Sequence, residues 1–139
     1  TYSGHQVACA AALKNIEIME REELMAHVRD VSPYFQSQLA TLLEIPLVRD
    51  VRGVGLMACG VCDISQGDGD SLGIDYEIGN RIDRHCQKLG LLVRPIINMC
   101  VMSPPLTITK PQIDDLVSML RQGIEAAMEE VREEGIWNG

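Results

Sequence analysis

The stretch "LLVRPIINMCVMS" (Leu91–Ser103) decides the fold class. Two short apolar runs, "LLVRPI" and "MCVMS", are separated by Ile97 and Asn98, and this arrangement predicts two strands joined by a two-residue turn. Strands joined by so short a turn run antiparallel. The stretch therefore indicates a sheet with antiparallel neighbours, and the flanking segments decide what covers it.

Helices are predicted on both sides of these strands. Upstream, the apolar residues between Ile74 and Leu89 are spaced for one helix face, and Gly90 follows as the C′ residue. Downstream, Thr109 and Gln112 form a capping box, and a regular apolar face continues behind them. The predicted pair of strands can therefore bury one face against these helices.

The first half of the chain predicts two helices and one strand. Ser3 is the predicted N-cap of a helix with an apolar stripe over residues 7–19. A second stripe over residues 24–42 is expected to break or kink near Ser32, because Pro33 falls inside it. "LVRDVRGVGLMACGVCDI" (residues 47–64) predicts one long, bent strand because it is rich in glycine and β-branched residues. "SQGDGDSLG" (residues 65–73) predicts a loop.

The resulting order, α-α-β-α-β-β-α, predicts an α+β fold in which helices cover one face of a small, mostly antiparallel sheet. We expect a helical segment over residues 1–45 and a small α+β domain over residues 46–139.

Composition narrows the class of protein. The 139 residues are 46% hydrophobic, enough for a core, and the net charge of −8 disfavours a nucleic-acid surface, which needs a basic patch. No apolar run is long enough for a membrane span, and no signal peptide is visible. Five cysteines, an odd number, indicate reduced thiols rather than a disulfide framework. A cytoplasmic protein is expected.

Arg94 is the most informative single residue, with three apolar residues before it and Pro95 after it. Arginine is rarely buried without a partner, and its guanidinium group matches a carboxylate bidentately. The residue therefore predicts either recognition of a substrate carboxylate or a structural arginine, which would lie on the solvent face of an edge strand or pair with a structural aspartate. Residue types alone leave both interpretations open, because the two faces of a strand alternate.

Two short motifs favour an ordinary structural role. "GVGLMA" (residues 53–58) matches the GxGxxA dinucleotide fingerprint, but no helix follows the glycines, so a bent strand is the better interpretation. Cys59-x-x-Cys62, His85 and Cys86 are four nominal zinc ligands. The two members of each pair would diverge, on a strand and on a helix respectively. We therefore predict structural thiols and no metal site.

Three blocks of the chain resemble one family. "TYSGHQVACAAAL" (residues 1–13) is similar to a TYSGHP-V-A-C-A-A-A-L stretch, and "VRGVGLMACGV" (51–61) to a VRG-x-G-L-M strand. "GLLVRPIINMCVMSPPLTITKPQIDDLV" (90–117) is similar to a closing segment with R-P, SPPL-x-I-T and I-D. All three belong, in this order, to class III pyridoxal-phosphate (PLP)-dependent aminotransferases, especially the ω-amino acid–pyruvate branch. Gln6 stands where the family usually has proline, and Ile97-Asn98 where Gly-Asp is common.

The resemblance implies the small C-terminal domain of fold-type I PLP enzymes, with PLP as cofactor. It implies transfer of an amino group from an ω-amino acid or amine to a 2-oxo acid such as pyruvate, in a homodimer. It also implies that Thr1 donates a hydrogen bond to the PLP phosphate of the neighbouring subunit, and that Arg94 binds the substrate carboxylate.

The family's Schiff-base lysine precedes the TYSGH motif, and Lys14, Lys88 and Lys110 do not match it. We therefore expect no catalytic residue in this chain, which would be the C-terminal part of a larger enzyme and inactive alone. Two other classes remain open. One is a stand-alone α+β module that binds a carboxylate through Arg94 without catalysis, and the other is a structural, self-associating domain.

Overall fold

The computed structural model describes residues 3–64 and 72–137, without the side chains of residues 72–76. Within these ranges the chain forms four α-helices, one short 3₁₀ turn at Thr41–Glu44 and four strands. In chain order the elements are α1 (Gln6–Arg21), α2 (Leu24–Ala40), β1 (Val48–Val54), β2 (Met57–Cys62), α3 (Leu72–Lys88), β3 (Arg94–Ile96), β4 (Met99–Met102) and α4 (Lys110–Glu133).

The four strands form one antiparallel sheet in the order β1-β2-β4-β3. Two hairpins build it, one from β1 and β2 and one from β3 and β4, and they join where β2 pairs with β4. In the second hairpin Ile96 lies opposite Met99, so Ile97 and Asn98 form the predicted two-residue turn. The predicted α+β class is confirmed.

Helices cover one face of this sheet. On that face Ala58, Cys100 and Met102 are buried, whereas Arg52 and Arg94 on the other face are exposed. The helices contribute the largest fully buried side chains, each worth about 1.5–3 kcal/mol of transfer free energy. These include Phe35, Leu39, Ile78, Ile82, Ile113, Leu120 and Ile124. One face of the sheet therefore belongs to the core and the other stays open.

A polar network ties α3 to α4 beside this core. The Arg81 side chain is only 11% exposed, and its guanidinium donates to Glu130 Oε1 and to both carboxylate oxygens of Glu134, each at 2.8 Å. His85 Nε2 lies 2.8 Å from Glu130 Oε2. The hydrogen bond with His85 lowers the pKa of Glu130, and the one from Arg81 lowers the pKa of Glu134. Both carboxylates are thus held ionised against α3.

The start of α1 differs from the prediction. The helix begins at Gln6, and the cap is His5, whose Nδ1 accepts a hydrogen bond from the Ala8 N–H at 3.4 Å, rather than Ser3. An imidazole nitrogen can accept at an N-cap as a hydroxyl does, so Ser3 was the better residue type at the wrong position. No residue of α1 is buried.

Of the break or kink expected near Ser32, the break is wrong, because α2 runs through Pro33. A proline inside a helix costs about 3 kcal/mol. Phe35 and Leu39 on the same helix are fully buried, and their burial offsets that cost. The interruption falls earlier, at Glu23, which has a left-handed φ of 50° and separates α1 from α2.

The single bent strand predicted for residues 47–64 is also wrong, because the segment folds into the β1–β2 hairpin. Val54 lies opposite Met57, and Gly55 occupies the turn with φ of 62°. Glycine adopts this conformation without steric cost, which is why the chain can reverse here. The loop predicted next lies, for residues 65–71, outside the described residues.

Both predicted ends of the later helices are confirmed. The Thr109 N–H donates to Gln112 Oε1 at 3.0 Å in the capping box, and Gly90 has φ of 89° after α3. The division into residues 1–45 and 46–139 stays a prediction; α2, in the first segment, packs against β1 and α4 in the second. Among the described residues, no helix is long and apolar enough to cross a membrane.

Candidate functional site

Arg94 begins β3, an edge strand, and its side chain lies on the open face of the sheet. In the described part of the chain its guanidinium group makes no hydrogen bond or ion pair with the protein. The exposed edge position fits the structural interpretation of Arg94, but the structural acidic partner is missing from the described residues. Its donors are therefore available to a carboxylate, which can accept two parallel hydrogen bonds from a guanidinium group.

A groove of about 790 Å³ lies along this edge of the sheet, and Arg94 is its charged lining residue. Leu92, 80% exposed, and Met119 contribute apolar surface, while Ser103 and Gln112 are polar. The side chain of Gln112 already serves the capping box, so Arg94 and Ser103 are the lining side chains that remain available to a ligand. The groove can hold a small ligand with an apolar body and one carboxylate.

A second arginine stands on the same open face. Arg52, Cys59, Val101 and Arg94 are cross-strand neighbours in one row through β1, β2, β4 and β3. Arg52 is tied to its surroundings, with Nη2 at 3.6 Å from Met99 Sδ and Nη1 at 3.7 Å from an Asp50 oxygen. Arg94 has no comparable restraint among the described residues. Of the two arginines in this row, Arg94 is therefore the one whose guanidinium group is available to a ligand.

The hairpin formed by β3 and β4, which carries Arg94, is restrained by contact with α3. Ile97, in its turn, has a left-handed φ of 58°, an uncommon conformation for a β-branched residue. Gly79 of α3 lies directly against this turn, with no room for a side chain. Sequence reasoning missed both restraints, because the approach of a helix to a distant turn leaves no local pattern.

Thr1, the predicted hydrogen-bond donor to the PLP phosphate, lies outside the described residues, so its role stays a prediction. Lys14 pairs with Glu17 at 2.6 Å on the exposed α1, and Lys110 pairs with Asp30 at 3.3 Å. None of the residues lining the groove is a lysine. Arg94 is therefore the charged side chain that the described residues place in the groove.

The four nominal zinc ligands diverge as predicted. Cys59 lies on the open face of β2 and Cys62 on the buried face, while His85 binds Glu130 and Cys86 is buried. Among the described residues, no three His, Cys, Asp or Glu side chains are grouped to hold a metal ion. The sequence interpretation of these cysteines as structural residues fits this placement.

Three of the thiols share the core and are called the buried thiols: Cys62, Cys86 and Cys100. Burial raises the pKa of Cys62 to about 12 and that of Cys86 to about 11, and it raises the pKa of Cys100 well above its usual value. A thiol at neutral pH is a weak nucleophile and a weak metal ligand, because the thiolate is the reactive form. The buried thiols therefore serve packing.

The sequence of the chain is similar to that of known aminotransferases. The family model for aminotransferase class III matches residues 1–124. Gamma-aminobutyrate transaminase 1, mitochondrial, of Oryza sativa subsp. indica is 35% identical over 133 residues, covering 96% of this chain. Putrescine–pyruvate aminotransferase of Pseudomonas aeruginosa is 35% identical over 126 residues, covering 90%.

Solved structures give the same answer. An omega-transferase from Vibrio fluvialis superimposes with a TM-score of 0.86 at 31% identity, covering 96% of this chain and 32% of that one. An adenosylmethionine-8-amino-7-oxononanoate aminotransferase from Methanocaldococcus jannaschii has a TM-score of 0.81 at 32% identity, covering 91% and 29%. The chain spans 26% of the length of the rice relative and 27% of the Pseudomonas one. By its sequence and its fold, the chain belongs to the class III aminotransferases.

Proposed function

We propose that this chain is the C-terminal part of a PLP-dependent aminotransferase that moves an amino group from an ω-amino acid or amine to a 2-oxo acid such as pyruvate. The observation that carries the proposal is Arg94, an exposed guanidinium without a protein partner among the described residues, at the rim of a groove. The relatives named for gamma-aminobutyrate and for putrescine with pyruvate support donors whose amine lies at a chain end.

The surface of α1 supports a larger assembly. This helix buries none of its residues, although Val7, Leu13 and Ile16 are apolar and between 52% and 72% exposed. An amphipathic helix of a globular protein normally packs its apolar stripe against another element. The proposal assigns that role to the rest of the enzyme, since the relatives are longer than this chain. In the same proposal the whole enzyme is a cytoplasmic homodimer.

In this proposal the chain positions the substrate. Arg94 binds the carboxylate of the 2-oxo acid in a bidentate, charge-assisted pair, which fixes the acid group and therefore the direction of its carbonyl carbon. The apolar part of the groove takes up the side chain. PLP, when bound, supplies the electron sink for the transfer, and Thr1 would donate to the phosphate of the PLP in the neighbouring subunit. The lysine that anchors PLP lies in the remainder of the enzyme.

The first experiment reads the DNA upstream of the Thr1 codon. An in-frame strand–lysine segment within a few dozen codons is the expected result. The 139-residue chain alone, supplied with PLP, pyruvate and an amine, should then give no transamination. A start codon directly before Thr1 with no such segment, or measurable activity of the chain alone, contradicts the proposal and favours a stand-alone module.

The second experiment tests Arg94 in the longest polypeptide that the gene encodes. A lost hydrogen bond to a charged group costs about 1.5–3 kcal/mol, so Arg94→Ala should lower kcat/KM for pyruvate about tenfold to a hundredfold, mainly through KM. A carboxylate-free aldehyde such as butanal should react as before. Arg52→Ala is the matched control on the same sheet face and should affect neither acceptor selectively. Equal losses for both acceptors in Arg94→Ala would rule out the assigned role.

A further inference from the structure

The strand that carries Arg94 is short and depends on its neighbours for its position. β3 has three residues, pairs with β4 alone among the strands of the described residues, and ends in the turn at Ile97. The left-handed φ of Ile97 is normally reserved for glycine, because a β-carbon then approaches the backbone carbonyl oxygen. A β-branched residue keeps such a conformation only where the surrounding structure enforces it.

Gly79 of α3 is the group that meets this turn. A β-carbon at residue 79 would overlap the Ile97 carbonyl oxygen and lie 3.3 Å from Pro95 Cβ. The obstructing atom belongs to the backbone, so no side-chain rotation can relieve the overlap. A side chain at residue 79 would therefore have to move the hairpin and α3 apart.

Gly79 and the Arg94 side chain lie on opposite faces of β3. Side chains alternate along β3, so Pro95 faces α3 while Arg94 faces the open side. Gly79 thus supports the strand directly behind the arginine. A bidentate pair between a guanidinium and a carboxylate requires defined placement, and a displacement of about 1 Å at a reacting substrate can cost about a hundredfold in rate.

We propose that Gly79 and Ile97 are positioning residues for Arg94: the close approach of α3 to the turn sets where the guanidinium stands over the groove. The inference rests on the proposed role of Arg94. Its consequence is that two residues which never touch the substrate determine how well carboxylate-bearing acceptors are preferred over acceptors without a carboxylate.

Gly123→Ala provides a matched steric control. A β-carbon at residue 123 would overlap Cys86 Sγ, so the substitution also adds one methyl group against α3, seven residues further along that helix. Cys86 lies near the C-terminal end of α3 and Gly79 beside the hairpin. The two variants crowd the same helix, but only one of them crowds the hairpin.

The test compares Gly79→Ala, Gly123→Ala and Arg94→Ala in the longest polypeptide that the gene encodes, with pyruvate and butanal as acceptors and one amine donor. Gly79→Ala should lower kcat/KM for pyruvate about tenfold or more, mainly through KM, and change that for butanal less than twofold. Gly123→Ala should leave the ratio of the two acceptors unchanged. An unchanged ratio in a folded Gly79→Ala protein overturns the inference.

Two further outcomes are separated by this design. If Arg94→Ala does not change the acceptor ratio, the proposed function of Arg94 has failed and the positioning role fails with it. If Gly79→Ala does not fold, Pro95→Ala tests the same support without added bulk, because it removes ring atoms of β3 on the side that meets Gly79. A selective loss with pyruvate then supports the inference, and an unchanged ratio in Pro95→Ala overturns it.

Discussion

The contact between Gly123 and Cys86 can be tested by a pair of substitutions in the core. A β-carbon at residue 123 would overlap Cys86 Sγ but would stay 3.4 Å from the Cys86 nitrogen and 3.5 Å from the Ile82 carbonyl oxygen, which are ordinary contacts. One sulfur atom is thus the whole obstacle to an alanine at this position of α4. Removing that atom with Cys86→Ala should make room for the methyl group.

The magnitudes follow from two opposing terms. Overpacking costs about 1–3 kcal/mol, whereas replacing glycine by alanine inside a helix gains about 0.8–1 kcal/mol, so Gly123→Ala should destabilise the chain by about 1 kcal/mol. Cys86→Ala alone should cost about 1 kcal/mol for the lost buried sulfur. In the double variant the overlap is absent, so its free energy of unfolding should return close to that of the unmodified chain.

The assay is urea unfolding of the four proteins, read as a double-mutant cycle. The expected coupling free energy is about 2 kcal/mol in favour of the double variant, equivalent to about 7 °C in Tm for a chain of this length. Additive effects, with a coupling below about 0.5 kcal/mol, would refute the close packing of α3 against α4 at Gly123.

Three further outcomes are expected. The free energy of unfolding of Ile97→Gly, measured with urea, should exceed that of Ile97→Ala by about 1 kcal/mol, because glycine adopts the left-handed φ of residue 97 without steric cost. At residue 96, which lies in β3, the order of the glycine and alanine variants should reverse. The same order at both sites would contradict the turn. Since the pKa of Glu130 is lowered in the folded state, its stabilising contribution is present above pH 4.5 and is lost as the pH falls further. Glu130→Gln should therefore show a smaller decrease in the urea midpoint between about pH 5 and pH 3 than the unmodified chain. Parallel curves for the two proteins would argue against the ion network. Iodoacetamide at pH 8 should label Cys9 and Cys59 in the folded chain and the buried thiols only in denaturant, as read by peptide mass spectrometry; labelling of a buried thiol at the rate of Cys9 would contradict its burial.

Elements with strong local chemistry were predictable from the sequence. The capping box at Thr109 and the C′ position of Gly90 are formed by residues within a few positions of each other, so their pattern is visible in the chain. The turn at Ile97 and Asn98 was also predictable, because these two residues separate two short apolar runs. Its left-handed φ was not, because isoleucine there contradicts the local preference and only tertiary contacts maintain it.

The candidate site divides in the same way. The sequence by itself determined the α+β class, the family and the choice of Arg94, because apolar spacing, caps and motif order are local properties of the chain. Only the tertiary structure decided that Pro33 stays inside α2, that β1 and β2 form a hairpin, and that Gly79 supports the strand of Arg94. Those outcomes depend on burial and close contact between residues far apart in sequence, and the free energy of such contacts outweighs local propensity.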